Sequence, residues 1–522
     1  MGDPLAEQVL NAQSTARLHG VSVTAGSCSI SAGLGECQSS ANCNQQGINV
    51  RKEPIIVTSP VIVWFRHDFR LMDNAALSAA VATGAPVLCI YILDDATEQV
   101  AARWWLGRAL ELFDAALRRR NGALHVFRGS ANRVLPAVVA ATRARAVFWN
   151  RRYDPGGKET DTRLKTMLKA AGTPVHSFAG ALLHEPWTIQ TRTGQPYRVF
   201  GAYWRAACQA GHERPLLPAP ERLTFATPAQ AGLPPMVDPD MISQEMHATG
   251  WTDGLDEAWR PDEVSAHTVL ETFVDGPLED YAHDRDMPAQ PATSRLSPFL
   301  RWGHITPAQI REAVVARSQS GGATKFMMEL GWRDFAWSVL FGCPDLVSRN
   351  LRPEFDMMAW RHDPSGLRAW QRGLTGYPLV DAGMRQLWQT GWMHNRVRMV
   401  AASFLVKHLL IDWREGERWF AHTLVDYDPA SNGMNWQWVA GTGIDAAPFF
   451  RIMNPLIQSR KFDPSGAYIR SWVPELSGLP DKHIHTPWLA GGAEGYPPPI
   501  VSHEVARDRA LSAWRMLRGA TP

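Results

Sequence analysis

From Pro60 onward the chain alternates two textures. Five continuous apolar runs, V-I-V-W-F from Val61, P-V-L-C-I-Y-I-L from Pro86, A-L-H-V-F from Ala123, A-V-F-W from Ala146 and P-V-H-S-F from Pro174, are separated by helical periods near 75–83, 103–119, 131–142 and 159–171. Strands apolar on both faces and alternating with helices predict a parallel sheet covered on each side. Its ligand crevice belongs at the carboxyl ends of the strands. No G-x-G-x-x-G follows the first run; W-F-R-H-D-F-R-L-M-D-N stands there instead, which excludes an ordinary dinucleotide binder. From 188 to 270 the period weakens and prolines accumulate (Pro215, Pro218, Pro220, Pro228), predicting a long connector. Beyond 270 helical patterns dominate, such as Thr306-Pro307 opening a helix that runs to about Arg317. The predicted fold is α/β plus all-α. A doubly wound parallel-sheet domain spans 58–187, a connector 188–270 and a helical domain 271–522. Residues 1–55 are rich in Ser, Gly, Ala, Gln and Asn without period, and are expected to form a disordered tail. Arg17 is the only basic residue before Arg51, which speaks against a transit peptide.

The densest polar chemistry lies between Gly391 and Arg451. Val397, Val400, Ala401, Phe404, Leu405, His408 and Leu409 recur at helical spacing and predict a buried stripe. Asn395, Arg398, Met399 and Ala402 then share the other face. Asp426, Asp428, Asn432, Trp436 and Trp438 follow closely, too much polar chemistry among aromatics for a plain core, and a pocket is expected there. The helix K-F-M-M-E-L-G-W-R-D-F-A-W puts Phe326, Glu329, Trp332 and Arg333 on one face. Either the aromatics are core and Glu329 pairs with Arg333 across one turn, or a carboxyl beside an indole stacks a planar base and bonds its edge. T-S-R-L-S-P at 293–298 is either a helix cap or a cradle for a pyrophosphate.

Composition changes this picture little. With 45% hydrophobic and 20% charged residues over 522, the chain is an ordinary globular protein of two or three domains. No apolar run reaches the length of a membrane span. Of 53 basic residues 8 are Lys and 45 Arg, and Tyr281–Arg470 carries 22 basic against 17 acidic residues, which favours a polyanionic partner. Six cysteines make no disulfide framework and match no zinc spacing, so a reduced interior and no metal are expected.

Taken in order, Tyr281, T-S-R-L-S-P, E-L-G-W-R-D-F, T-G-Y-P-L-V-D-A-G-M-R-Q-L, G-W-M-H-N-R-V-R-M, D-W-R-E-G-E-R, D-Y-D-P-A-S-N-G-M-N-W-Q-W and D-A-A-P-F-F-R resemble the photolyase/cryptochrome family. W-F-R-H-D-F-R-L-M-D-N-A-A-L resembles that family's first strand, so the resemblance covers about 60–520. It is strongest to bacterial class I cyclobutane pyrimidine dimer photolyases. The resemblance implies an antenna domain followed by a helical domain holding FAD. Tyr281, Thr293, Ser294, Arg295, Leu296 and Ser297 are then expected at the FAD phosphates. Asp426, Tyr427 and Asp428 are expected beside the flavin ring, with Arg398 paired to Asp426 and Asn432 near N5. Trp436, Trp413 and Trp360 match an electron-transfer chain to the surface. Glu329, Trp332, Asn395, Arg396, Met399 and Trp438 match a lesion pocket. Arg285, Arg333, Arg396, Arg451 and Gln458 match positions at or near the DNA surface. Glu329 is expected to be buried against indoles and to donate to a thymine carbonyl. The implied partner is UV-damaged DNA, met by a cytoplasmic monomer.

Phe326 stands where related repair enzymes often carry tryptophan. Residues 343–352 lack the Cys-Lys pair that helps hold a folate in some relatives, so a second antenna chromophore, folate or deazaflavin, stays open. A signalling cryptochrome and a six-four photoproduct enzyme are the rival readings. Glu329 and Trp332 speak against the first, and Asn395 and Met399, standing where histidines are expected, against the second.

Overall fold

A computed structural model describes residues 59–94, 99–212, 214–228, 231–247 and 251–519. The tail expected over 1–55 lies outside the described residues. The five apolar runs are the strands β1 (Val61–Phe65), β2 (Val87–Leu93), β3 (Leu124–Arg128), β4 (Ala146–Asn150) and β5 (Val175–Phe178). Between them lie α1 (Ala75–Val81), α2 (Val100–Arg118), α3 (Ala131–Thr142) and α4 (Pro155–Ala170), where the helical periods fell. The sheet runs β5-β4-β1-β2-β3-β6, with the first five strands parallel and β6 (Met236–Val237) antiparallel on β3. Val63 of the central strand faces Cys89 on one side and Phe148 on the other. Every residue of β1, β2 and β4 is buried, as strands covered by helices on both faces require.

The stretch read as a connector is more ordered than its prolines suggest. It carries α5 (Phe200–Ala210), β6, α6 (Pro239–His247), α7 (Asp253–Ala258) and the start of α8 (Glu263–Asp275). The prolines at 215–235 fall between these elements, so they limit helix length without preventing helices. A two-residue edge strand leaves no period to read. Then follow α9 (Tyr281–Asp284), α10 (Ser297–Trp302), α11 (Pro307–Arg317), α12 (Gly321–Gly342), α13 (Pro364–Arg372) and α14 (Pro378–Thr390). The helices α15 (Asn395–Ser403), α16 (Trp413–Thr423), α17 (Pro429–Ala440), α18 (Pro455–Phe462), α19 (Ala467–Trp472), α20 (Asp481–Ile484) and α21 (His503–Gly519) complete the described chain. Thr306 opens α11 with a full capping box to Gln309, as its sequence predicts.

Two details position the site. The loop after β1 is bolted to the helical part by buried Arg70, which donates to Gly303 O at 2.9 Å and Gly180 O at 3.1 Å. Gly303, at φ 66°, packs so closely on that loop that a Cβ would lie 2.1 Å from His67 O. The stripe on α15 stays buried to Leu409, but Phe404–His408 winds as a π turn rather than continuing α15. The wider turn carries Lys407 into the core, where its Nζ donates to Phe449 O at 2.6 Å.

Candidate functional site

Gly391 ends α14 in the left-handed region at φ 65°, and a Cβ there would meet Val425 at 2.6 Å. This close approach sets the start of α15 against the loop before α17. His394 caps α15, its Nδ1 accepting from Arg396 N at 3.2 Å. Arg398 then donates to Met393 O at 2.7 Å and to Asp426 Oδ2 at 2.8 Å. Ser297, at the start of α10, donates its hydroxyl to the same oxygen at 2.6 Å. Three segments distant in sequence thus converge on one carboxylate. The ion pair expected between Arg398 and Asp426 is present.

Asp426 is 7% exposed, and its other oxygen, Oδ1, is buried with no partner among the described residues. A buried carboxylate oxygen left open marks a place for a donor from outside the chain. The surroundings suit a large nucleotide. Thr293 and Ser294 are half-buried and Ser297 is exposed. Arg295, held at φ 51°, lays its guanidinium 4.4 Å over Trp259 and 5.4 Å over Trp392. Tyr281 is buried edge-on to Phe326 at 5.2 Å, and burial pushes its hydroxyl well up. These residues fit FAD: hydroxyls and an arginine for its phosphates, and an open acceptor for a ring N–H.

On the opposite side of Asp426 in sequence, Asp428 caps α17 by accepting from Ser431 N at 2.8 Å and takes the Trp337 indole N–H at 3.0 Å. The amide of Asn432 donates to Glu417 Oε1 at 3.2 Å, and Tyr427 OH reaches the same oxygen at 3.0 Å. Burial raises Glu417, and these two donors hold it down only in part. Sequence reasoning missed Glu417. A carboxylate in D-W-R-E-G-E-R gives no sign of facing Asn432, 15 residues away.

Trp413 and Trp436 are fully buried in the helical core, and Trp360 packs against the same core half-exposed. Trp413 donates to Asn350 Oδ1 at 2.9 Å; Trp436 meets Phe420 edge-on at 5.0 Å, its Nε1 unpartnered among the described residues.

The expected lesion residues are placed less uniformly. Glu329 is not buried against indoles. Its side chain is 28% exposed and ion-paired, with Arg285 in close contact and Lys325 at 3.2 Å. It does not pair with Arg333 either, because Arg333 turns to donate to Ala181 O at 2.7 Å. Arg285 also nears Asp286 at 3.9 Å, and Asp286 binds Arg396. A chain of alternating charge therefore joins Glu329 on α12 to Arg396 on α15, and Asp286, its middle member, was not legible in sequence. Trp332 spends one ring face on Phe200, stacked at 3.7 Å and 11°. Asn395 is exposed, its amide 4.0 Å from Met399 Sδ, while Ala402, expected on that face, is buried. Trp438 packs half-buried on the helical core, Arg451 is exposed and Gln458 partly so.

A crevice lies at the carboxyl ends of β1, β4 and β5, where a parallel sheet places it. His67, Arg151, Arg152, Asp154, Arg301 and Arg333 line it. Burial, then Arg301, Arg152 and Arg66, push His67 well down. Burial alone would raise Asp154, but Arg152 and the Gly157 N–H outweigh it and hold the carboxyl at about 2. Among the described residues no cluster of ligating side chains could hold a metal, and no helix is long and apolar enough to cross a membrane.

Two family models, curated relatives and solved structures match this chain. Residues 61–221 match the family model of DNA photolyase, and 326–516 that of the FAD binding domain of DNA photolyase. The chain is 47% identical over 486 residues to a deoxyribodipyrimidine photo-lyase of Agrobacterium fabrum, covering 89% of this chain and 99% of the relative. It is 36% identical to cryptochrome-1 of Arabidopsis thaliana, covering 88% of this chain and 71% of the relative. A crystal structure of a bacterial class III photolyase from Agrobacterium tumefaciens superposes with a TM-score of 0.84 at 45% identity, covering 89% of this chain and 98% of that one. An archaeal photolyase from Sulfolobus tokodaii, solved with two FAD molecules, gives 0.75 at 30% identity, covering 88% of this chain and 100% of that one. The motifs pointed towards class I enzymes, whereas the 45% identical structure is described as class III.

Proposed function

We propose, from the premise that this chain belongs to the DNA photolyase/cryptochrome family, that it reverses cyclobutane pyrimidine dimers in DNA under blue light, acting as a cytoplasmic monomer. The observation that carries this reading is the convergence of Ser297 and Arg398 on Asp426, whose second oxygen is buried and open. Thr293, Ser294, Arg295 and Ser297 would hold the FAD phosphates, and Asp426, Asp428 and Asn432 the ring. Reduced FAD, when bound and lit, supplies the electron that opens the cyclobutane ring and takes it back.

The chain's own residues do the rest. Arg285 and Arg396, locked together through Asp286, hold the phosphates beside a flipped lesion. Asn395 and Glu329 bond the edges of the joined pyrimidines, the free face of Trp332 stacks one ring, and Met399 fills the gap between them. Because Glu329 sits among cations, binding has to draw it off Arg285 or Lys325 before it meets a base. Trp360, Trp413 and Trp436 relay an electron inward from the surface. The arginine-lined crevice at the sheet ends suits an anionic antenna pigment.

The test illuminates reduced, FAD-loaded protein with oligonucleotides carrying one defined lesion each. Reversal of the cyclobutane dimer with the six-four product untouched is expected. No reversal of the dimer with FAD bound and reduced moves the reading to a cryptochrome photoreceptor.

A further inference from the structure

A second cleft, of about 630 Å³, opens between the segment at Arg352–Phe355, the loop at Pro448–Phe450 and the last turns of α21. Its walls are aromatic. Phe450, 54% exposed, meets Trp514 edge to face at 5.4 Å, and Phe355 and Phe449 lie deeper. Its charges are two arginines against one carboxylate. Arg352 lies 5.2 Å over Phe355 and pairs with Glu354 at 2.9 Å. Arg518 lies 5.3 Å over Trp514 and has no carboxylate partner among the described residues. From below, the buried Nζ of Lys407 donates to Phe449 O at 2.6 Å and stands 4.1 Å from that ring. Lys407 comes from the π turn, a distortion that clusters at functional sites. Trp360 packs in the same apolar cluster as Phe355, Phe449 and Trp514, so the wall of the cleft and the outermost indole of the relay share one contact layer.

We propose that this cleft binds a phosphorylated planar reductant of nucleotide size, a reduced nicotinamide nucleotide, and delivers its electron to Trp360. The exposed ring of Phe450 offers a face to a planar heterocycle. Arginines held over aromatic rings present their forks to phosphate. A cleft of this volume takes a molecule of that size. The delivery step rests on the reading of Trp360 as the outer end of the relay. In that step the dihydronicotinamide loses one electron to the oxidised indole of Trp360 and releases a proton to solvent, leaving a neutral nicotinamide radical that departs the cleft and couples with a second one. The indole returns to its neutral form, and no bond in the protein changes.

Two measurements on the full-length, FAD-loaded protein test this. In the dark, equilibrium dialysis with NADH and NAD+ is expected to show one site, weakened about tenfold by Arg518→Glu and several-fold by Phe450→Ser. Phe450 is exposed, so its substitution leaves folding intact. Dihydronicotinamide riboside, which lacks the phosphate, is expected to bind about tenfold more weakly. Under 450 nm light, FAD photoreduction should saturate with NADH but rise linearly with dithiothreitol, and Arg518→Glu should raise only the NADH half-saturation. Absence of dark binding, or binding indifferent to Arg518→Glu and Phe450→Ser, removes the site. If Trp360→Phe slows photoreduction with both donors while no site is found, the relay stands and the cleft falls. If the site binds but Trp360→Phe photoreduces like the parent, the relay reading falls and the delivery step with it.

Discussion

Asn432 sits 3.2 Å from a buried glutamate that burial has already raised, which makes it a sensitive residue. Asn432→Asp would replace a donor with a second carboxyl facing Glu417. Two carboxylates at that distance resist ionising together, so both are raised in the folded state. A carboxyl whose folded value lies above its unfolded one costs stability as pH rises past the unfolded value near 4. The variant should therefore melt below the parent at pH 8, with the gap closing towards pH 4, and its photoreduced flavin spectrum should depart from the fully reduced form. A melting gap independent of pH would remove the carboxyl-pair argument. Glu329 carries a second prediction. Glu329→Ala frees Arg285 and Lys325 from their carboxylate while deleting the proposed pyrimidine contact. Dimer repair per bound complex should fall about tenfold or more, with DNA affinity unchanged or slightly higher. An equal fall in both would make Glu329 a general anchor for the surrounding arginines. Neither Glu417 nor Asp286 stood out in the sequence, since a lone carboxylate does not reveal what it faces.

Helix pairing decides where the indoles lie. In α16, Gly416 permits such close approach that a Cβ would stand 2.1 Å from Trp436 Cη2 and 2.7 Å from Leu405 Cδ2. Because the obstacle is a buried ring wedged against Phe420, it has little room to give. Gly416→Ala should cost about 1–3 kcal/mol by overpacking, lower the melting temperature, and slow photoreduction by shifting Trp436. A variant that melts and photoreduces like the parent would show that α16 and α17 can part at no cost. The seven residues from Val397 to Leu409 that recur at helical spacing predicted a buried stripe, and every one of them is buried. The period could not reveal the π turn, because one extra residue over a turn keeps the stripe buried while re-aiming Lys407.

Across the whole described chain, the sheet and the helices are joined by a neutral histidine. Trp105 on α2 donates its indole N–H to His304 Nε2 at 3.0 Å, so Nδ1 carries the proton and donates to Phe69 O at 3.2 Å. Burial pushes His304 down to about 4. A base whose folded value lies below its unfolded 6.5 adds stability that is complete above 6.5 and lost as pH falls towards 4. His304 alone should remove about 2 kcal/mol between pH 7 and pH 5. His394, at about 4, and His408, at about 3, act in the same sense. The melting temperature should fall steeply over that range, and His304→Asn should melt lower at pH 7 but lose less on acidification. Equal slopes would rule out His304 as a contributor. The sequence by itself determined the five parallel strands, the helices between them, the helical second half and most of the residues around Asp426. The strands and helices follow from period and residue type, which act over a few neighbours, whereas the residues around Asp426 were legible through the order of motifs that carries the family resemblance. Tertiary structure alone decided that Glu329 pairs with Arg285 rather than Arg333, that Trp332 loses a face to Phe200, that the connector holds helices and that a cleft stands beside Trp360. Each of these depends on which distant segment packs against a given side chain, and that is set by the arrangement of whole elements rather than by spacing along the chain.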